Sequence, residues 1–459
     1  MKLLCSYKYF KKFILICFLI FFSHNFIYSQ NLIVGYYPNW LSTTLPPQNI
    51  KFENLTHIVH SFAWPDSLGD IQMYPGMLSS GLIEAAHNAG KKILLAFGGW
   101  GEIQSGGFAL MAADSLRREN FINNVIELFN QYGYDGIDLD WEFPANLSEG
   151  RNLTTLVEEL HDRFNQENPD WLISMAVNSG HWYGQHFEYL ELSNYLDWFA
   201  MMGYDFHGSW TAHAGHNAPL YQPSNCFDGS SDTGIKYLTI TRQIPKNKIL
   251  LGVPFYGKEF TASGLYQPQS GVIDLSYTNI EPRINNVSWQ YYWDDFSKVP
   301  YLLNTANTKF VTFEDTASIR IKCEYALDNQ LKGMMIWALG HDVIGNTQPL
   351  LETIGREMGL VTSVEISSQQ IAEDYYLYDN YPNPFNPSTK IKFLVPESSF
   401  VNLKVFDILG NEIATLVNEL KSKGSYDVYF DGSGLSSGLY TYVLSSGSFF
   451  KSKKMLLLK

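Results

Sequence analysis

Residues Asp135-Gly-Ile-Asp138-Leu-Asp140-Trp-Glu142 alternate acidic side chains with apolar ones. Successive side chains of a β-strand point to opposite faces. Asp138, Asp140 and Glu142 therefore share one face, spaced roughly 7 Å apart along the strand. Ile137, Leu139 and Trp141 take the other face, which suits packing against helices. Acids crowded on an inner face repel one another and are desolvated, and both effects raise carboxyl pKa values. The outermost acid can then keep its proton near neutral pH, as a general acid must when the leaving group is poor. Two other uses of such a strand stay open at this point. Acidic strands also bind hard metal ions, and a solvated edge strand carries acids without consequence.

The run Gly133–Glu142 is the fourth of eight β-like runs. The others are Leu32–Pro38, His57–Trp64, Lys91–Gly99, Leu172–Asn178, Leu196–Asp205, Lys248–Gly257 and Gly333–Asp342. Between several of them lie stretches with apolar spacing of three and four, such as Ser115–Tyr132 and Leu153–Asn168, which predict helices. Alternating strands and helices imply a parallel sheet. Eight units predict an α/β fold closed as a (β/α)8 TIM barrel, with its site at the carboxyl ends of the strands; a doubly wound open sheet is the alternative. Residues from about 259 to 312, rich in Tyr, Trp, Asn and Ser, predict a small α+β insertion between strands 7 and 8. Residues 361–376 are polar and aperiodic and predict a linker. Short β-runs separated by Gly, Ser, Asn and Pro fill 377–459 and predict a C-terminal all-β sandwich domain.

Residues 1–29 predict a signal peptide: Lys2, Lys8, Lys11 and Lys12 accompany the apolar run Phe13 to Phe22, and Ser29-Gln30 offers a cleavage point. That run is too short for a comfortable membrane span. The whole chain of 459 residues carries a formal charge of -14, and the leader's lysines leave the remainder more acidic still. This argues against nucleic acid and anionic membranes as partners. Aromatic residues make up 15%, which suits either a large core or a sugar cleft, because sugar rings stack on aromatic faces. Cys226 and Cys323 remain after the leader, and both a disulfide and two thiols are open. His207, His213 and His216 have a spacing that suits no common metal site, and their stretch predicts a surface loop; no metal and no cofactor are expected.

The acid run resembles the DxxDxDxE signature of glycoside hydrolase family 18, the chitinases. The likeness extends over roughly residues 32–358, through Val34-Gly-Tyr36-Tyr-Pro-Asn-Trp40, Leu95-Ala96-Phe-Gly98-Gly99-Trp100, Met202-Gly-Tyr204-Asp205, Val253-Pro-Phe-Tyr256-Gly and Met335-Ile-Trp337. The resemblance implies a substrate-assisted retaining mechanism, in which the sugar's own 2-acetamido group attacks the anomeric carbon. By position it makes Glu142 the general acid and then base, and Asp140 the partner of the acetamido N–H. Asp138 stores charge behind it, and Tyr204 donates to the acetamido oxygen. Tyr36, Phe62, Gly98, Gly99, Trp100, Met202, Asp205, Trp210, Tyr256 and Trp337 form the implied substrate-binding set, with Trp337 as the apolar floor. Two departures stand out. Ala96 replaces a usual Ser, and Lys258 stands where Arg is frequent, keeping charge but losing the two-pronged fork.

Residues from about 376 onward resemble the C-terminal sorting domain of the type IX secretion system, through Tyr381-Pro-Asn-Pro-Phe-Asn-Pro-Ser-Thr, Val405-Phe-Asp-Ile-Leu-Gly-Asn and Gly438-Leu-Tyr. A carbohydrate-binding module is the competing reading. The resemblances together imply a secreted or cell-surface chitinase, exported across inner and outer membranes by the type IX machinery. It would act on chitin or N-acetylglucosamine oligosaccharides, and nothing asks for more than a monomer. Alternatives are an endo-β-N-acetylglucosaminidase acting on glycoproteins, an enzyme of peptidoglycan fragments, and a chitin-binding lectin on the same barrel.

Overall fold

The computed structural model describes residues 31–361, apart from 80 and 223–227, and residues 375–458, apart from 379, 381–382 and 448. The expected leader, nearly all of the expected linker and Cys226 lie outside the described residues. The described chain divides into two compact units, one ending at Val361 and one running from there to the C-terminus, and each has its own apolar core.

Among the described residues, eight parallel strands close the sheet of the first unit. They are β1 (Leu32–Pro38), β2 (His57–Pro65), β3 (Lys92–Gly99), β4 (Gly136–Trp141), β5 (Leu172–Asn178), β6 (Trp198–Met202), β7 (Ile249–Pro254) and β8 (Gly333–Trp337). Each pairs with its neighbours in order, and β1 pairs with both β2 and β8, so the sheet is a barrel and the open alternative is excluded. Strand alternation splits the apolar residues in two. Ile137, Leu139, Leu95 and Phe97 join the large core between strands and helices. Val34, Tyr36, Val59, Leu94, Ala96, Ala200 and Met335 fill the lumen.

The helices begin where side chains can satisfy their free N–H groups. Asp114 accepts from the amides of Leu116 and Arg117 and starts Ser115–Tyr132, which stops at Gly133 in the left-handed region (φ 85°). Asn146 accepts from Ser148 and Glu149 and starts Leu147–Glu167. That helix begins six residues before its predicted start, because its first turns are polar and the apolar spacing is visible only from Leu153.

The predicted seventh run is two strands. β7 ends at Pro254, and Tyr256–Phe260 turns into a separate antiparallel sheet with Val272–Ser276, Phe310–Thr312, Val299–Asn304 and Trp289–Asp294. The helix Tyr277–Ile284 completes this insertion. Its sheet therefore starts at Tyr256, three residues before the expected edge.

In the second unit, Tyr376–Leu377, Ser388–Val395 and Gly424–Asp431 form one antiparallel sheet. Glu412–Lys421, Ser399–Phe406, Gly438–Ser446 and Phe449–Leu457 form another. Both contribute to a single apolar core through Ile391, Phe393, Val401, Leu403, Tyr442 and Met455, which makes the unit a sandwich. No helix of the described residues is long and apolar enough to cross a membrane.

Candidate active site

The acid row stands at the carboxyl end of β4. Asp138 is fully buried in the lumen, flanked in register by Ala96 of β3 and Ser174 of β5. Its two oxygens accept hydrogen bonds from Ser174 Oγ (2.6 Å) and the Tyr36 hydroxyl (2.7 Å). Burial pushes Asp138 up to about 6, although both hydrogen bonds pull the other way. Asp140 is also buried, and among the described residues its Oδ1 has no hydrogen-bond partner. Burial first, then Glu142, then Asp138 hold its carboxyl well above the usual carboxylate range. Glu142 lies one residue past the strand. Burial and then Asp205 push it up to about 8. A row of this kind holds fewer charges than carboxyls at neutral pH, and its protons belong to the row rather than to one residue.

Glu142 is held by its backbone. Its N–H donates to Ser105 Oγ (3.0 Å), and the Ser105 hydroxyl donates to the Gly99 carbonyl (2.9 Å). Ser105 thus ties the end of β4 to the end of β3. Gly98 is required there by close approach: a Cβ on it would lie 2.1 Å from the Asp140 carbonyl oxygen, at φ 121°. A Cβ on Gly99 would meet the Phe62 ring at 3.1 Å. Both glycines of the expected binding set therefore serve the packing of β3 on its neighbours.

Opposite the row, the Tyr204 hydroxyl has, among the described residues, only Met335 Sδ as acceptor, at 3.9 Å. A thioether is a weak acceptor, so this donor remains available to a stronger one. Burial, then Asp140 and Asp205, raise Tyr204 well above the usual phenol value and keep its proton on. Asp205 follows in the left-handed region (φ 60°) and accepts from the Tyr256 hydroxyl (2.6 Å). Lys258 bridges Asp205 (2.9 Å) and Asp274 (2.8 Å) and lies 5.6 Å from the Trp210 ring. Burial alone would lower Lys258, but the two carboxylates outweigh it and hold it above its usual value. The floor is aromatic: Trp337 packs on Phe62 (5.7 Å), Tyr36 (5.9 Å) and Trp40 (6.5 Å). Met202 lines the lumen beside these rings. Trp100 and Trp210 are 71% and 63% exposed, which leaves their faces open to a ligand.

Sequence reasoning missed Ser174, Ser105 and Trp40 as site residues. Ser174 is the single hydroxyl in the apolar run Leu172–Asn178, at an inward position, and that signal could have found it. Ser105 lies in the helix Glu102–Ser105, and nothing in its neighbourhood marks it. The prediction of a surface loop fails for two of three histidines. His207 and His216 are buried, because His216 pairs with Asp294 of the insertion (2.9 Å) and His207 with Asp228 (3.1 Å). Cys323 is buried and forms no disulfide among the described residues.

Residues 32–342 match the model of Glycosyl hydrolases family 18, and residues 379–458 match that of the Secretion system C-terminal sorting domain. Chitinase A1 of Niallia circulans is 29% identical over 289 residues, covering 56% of this chain and 41% of that protein. The chain thus spans less than half the length of that relative. Among solved structures, catalytic domain 2 of the Ostrinia furnacalis Group II chitinase matches with a TM-score of 0.67 and 28% identity, over 72% of this chain and 96% of that one. The Ostrinia furnacalis Group IV chitinase in complex with allosamidin matches with a TM-score of 0.64 and 26% identity, over 71% and 97%.

Proposed function

The chain belongs to glycosyl hydrolases family 18, and from that premise we propose that it is an exported chitinase cutting β-1,4 links between N-acetylglucosamine units. The observation that carries this reading is the pair formed by Asp140 and Glu142: a buried carboxyl oxygen with no partner among the described residues, beside a carboxyl held up to about 8. A buried unpaired oxygen calls for a donor, and the N–H of a 2-acetamido group supplies one. A carboxyl with such a value is mostly protonated at pH 7 and can act as an acid.

The reaction then has two steps. Glu142 gives its proton to the glycosidic oxygen as the C1–O bond breaks, and the acetamido oxygen bonds to C1, forming an oxazolinium. Asp140, gaining negative charge as the row shares its protons, stabilises the positive ring. Tyr204 turns its hydroxyl from Met335 Sδ to the acetamido oxygen and holds it for attack. In the second step the Glu142 carboxylate takes a proton from water. The water oxygen bonds to C1, the C1–O bond to the acetamido oxygen breaks, and configuration is retained overall. Trp337 and Phe62 give the sugar at the cleavage point an apolar floor, and Trp100 and Trp210 stack on its neighbours. The tail would direct type IX export across both membranes, leaving the enzyme at the cell surface or released.

The test offers the protein three substrates: N-acetylglucosamine oligomers of four to six units, glycoproteins bearing N-glycans, and peptidoglycan fragments. Cleavage of the oligomers, inhibited by a thiazoline mimic of the oxazolinium, supports the proposal. Oligomer binding without cleavage points to a lectin. Cleavage of only the other two moves the substrate class while keeping the acid row.

A further inference from the structure

The loop after β6 gathers a second set of ionisable groups, outside the acid row. His207 Nε2 and His213 Nε2 lie 3.1 Å and 3.2 Å from the same atom, Asp228 Oδ2. The three ligand atoms lie within 4.8 Å of one another. His207 is buried, and His213 and Asp228 are half-buried. His207 Nδ1 is 2.9 Å from the His216 carbonyl oxygen. A carbonyl can only accept, so Nδ1 carries the hydrogen, and in a neutral ring Nε2 carries a lone pair. That lone pair faces a carboxylate oxygen. Two lone pairs at this distance repel, so the arrangement calls for a positive centre between them, either a second ring proton or a cation.

A cation meets the same need without charging the ring. Two imidazole nitrogens and one carboxylate oxygen suit zinc and its first-row neighbours. Tetrahedral ligands about 2.0–2.1 Å from zinc lie roughly 3.3 Å apart, close to both observed N···O separations. A ring whose other nitrogen donates to a backbone carbonyl is oriented as metal-bound histidines are. We infer that His207 Nε2, His213 Nε2 and Asp228 Oδ2 form a binding site for a divalent cation of the zinc class. Spacing in the sequence hides the site, because Asp228 lies 21 residues from His207. The loop also carries Trp210 and starts beside Asp205. A cation there clamps one wall of the cleft, a positioning role rather than a catalytic one.

The test uses the full chain without a histidine tag, stripped with a chelator, exchanged into metal-free buffer and titrated with zinc. Bound zinc is counted after gel filtration, and the thermal midpoint is followed against zinc concentration. Cobalt(II) serves as a spectroscopic probe. The wild type is expected to retain one zinc more than His213→Ala and Asp228→Asn, to melt higher as zinc rises, and to show the visible bands of four-coordinate cobalt. The variants are expected to bind at least tenfold more weakly. Equal zinc content in wild type and both variants, or a wild-type midpoint indifferent to zinc, overturns the inference.

Discussion

Asp138 sets the charge of the row behind the acid, and its value is balanced by few partners. Burial raises it, while the Tyr36 and Ser174 hydroxyls lower it. Tyr36→Phe removes one of those donors, so Asp138 rises further and the acidic limb of kcat/KM moves to higher pH. Ala96 is the register partner of Asp138 on the other side. Ala96→Ser brings a hydroxyl to that side and is expected to move the same limb to lower pH. Both shifts are read from pH–rate profiles of the free enzyme. In the wild type the raised carboxyls of the row, Asp138 up to about 6 and Glu142 up to about 8, set the two limbs of the bell together. Stability carries the same signature. The folded Glu142 keeps its proton up to about 8, whereas the unfolded carboxyl loses it near 4.5. A raised carboxyl therefore costs stability increasingly as pH climbs between those values. Glu142→Gln removes that cost, so its thermal midpoint exceeds the wild type's by more at pH 8 than at pH 4.

At the scale of elements, the site depends on how the ends of β3 and β4 are joined. Ser105→Ala leaves the Glu142 amide without its acceptor and lets the acid drift. A loss of about 1–2 kcal/mol in stability and a fall in kcat larger than any change in KM are expected from denaturation and steady-state kinetics. Gly98→Ala puts a Cβ on the Asp140 carbonyl in a backbone region that L residues avoid; loss of soluble folded protein is expected, checked by yield and circular dichroism. The alternation of Ile137, Leu139 and Trp141 with the acids made β4 legible in the sequence, because one face packs on helices and the other does not. The end of β4 and its link to Ser105 were not, since that hydrogen bond joins residues 37 apart and no local period records it. The start of the helix at Leu147 and the break at Pro254 escaped for related reasons. A polar cap hides apolar spacing, and an apolar run continues smoothly from barrel strand into insertion.

At the scale of the whole molecule, the barrel unit carries every group the proposed reaction uses, and the C-terminal sandwich has a separate core. A chain ending at residue 361 is therefore expected to hydrolyse N-acetylglucosamine oligomers with kcat/KM unchanged within about twofold, while failing to reach the cell surface; assays of purified protein and of cell fractions check the two halves. The eightfold alternation of strands and helices was legible because most of the runs are apolar and several are separated by stretches of helical spacing. In the tail, the alternation is weak in Glu412–Lys421 and Phe449–Leu457, whose exposed faces carry Glu, Asn, Lys and Ser. The proposed reaction stands or falls on Glu142 as the proton donor. The measurement that reaches it most directly compares hydrolysis of N-acetylglucosamine hexamer by the wild type and by Glu142→Gln, which keeps shape and hydrogen bonding but has no proton to give. A fall in turnover by a factor of about 10²–10⁴ or more, with hexamer binding retained, is the predicted result. Undiminished turnover in the variant contradicts it.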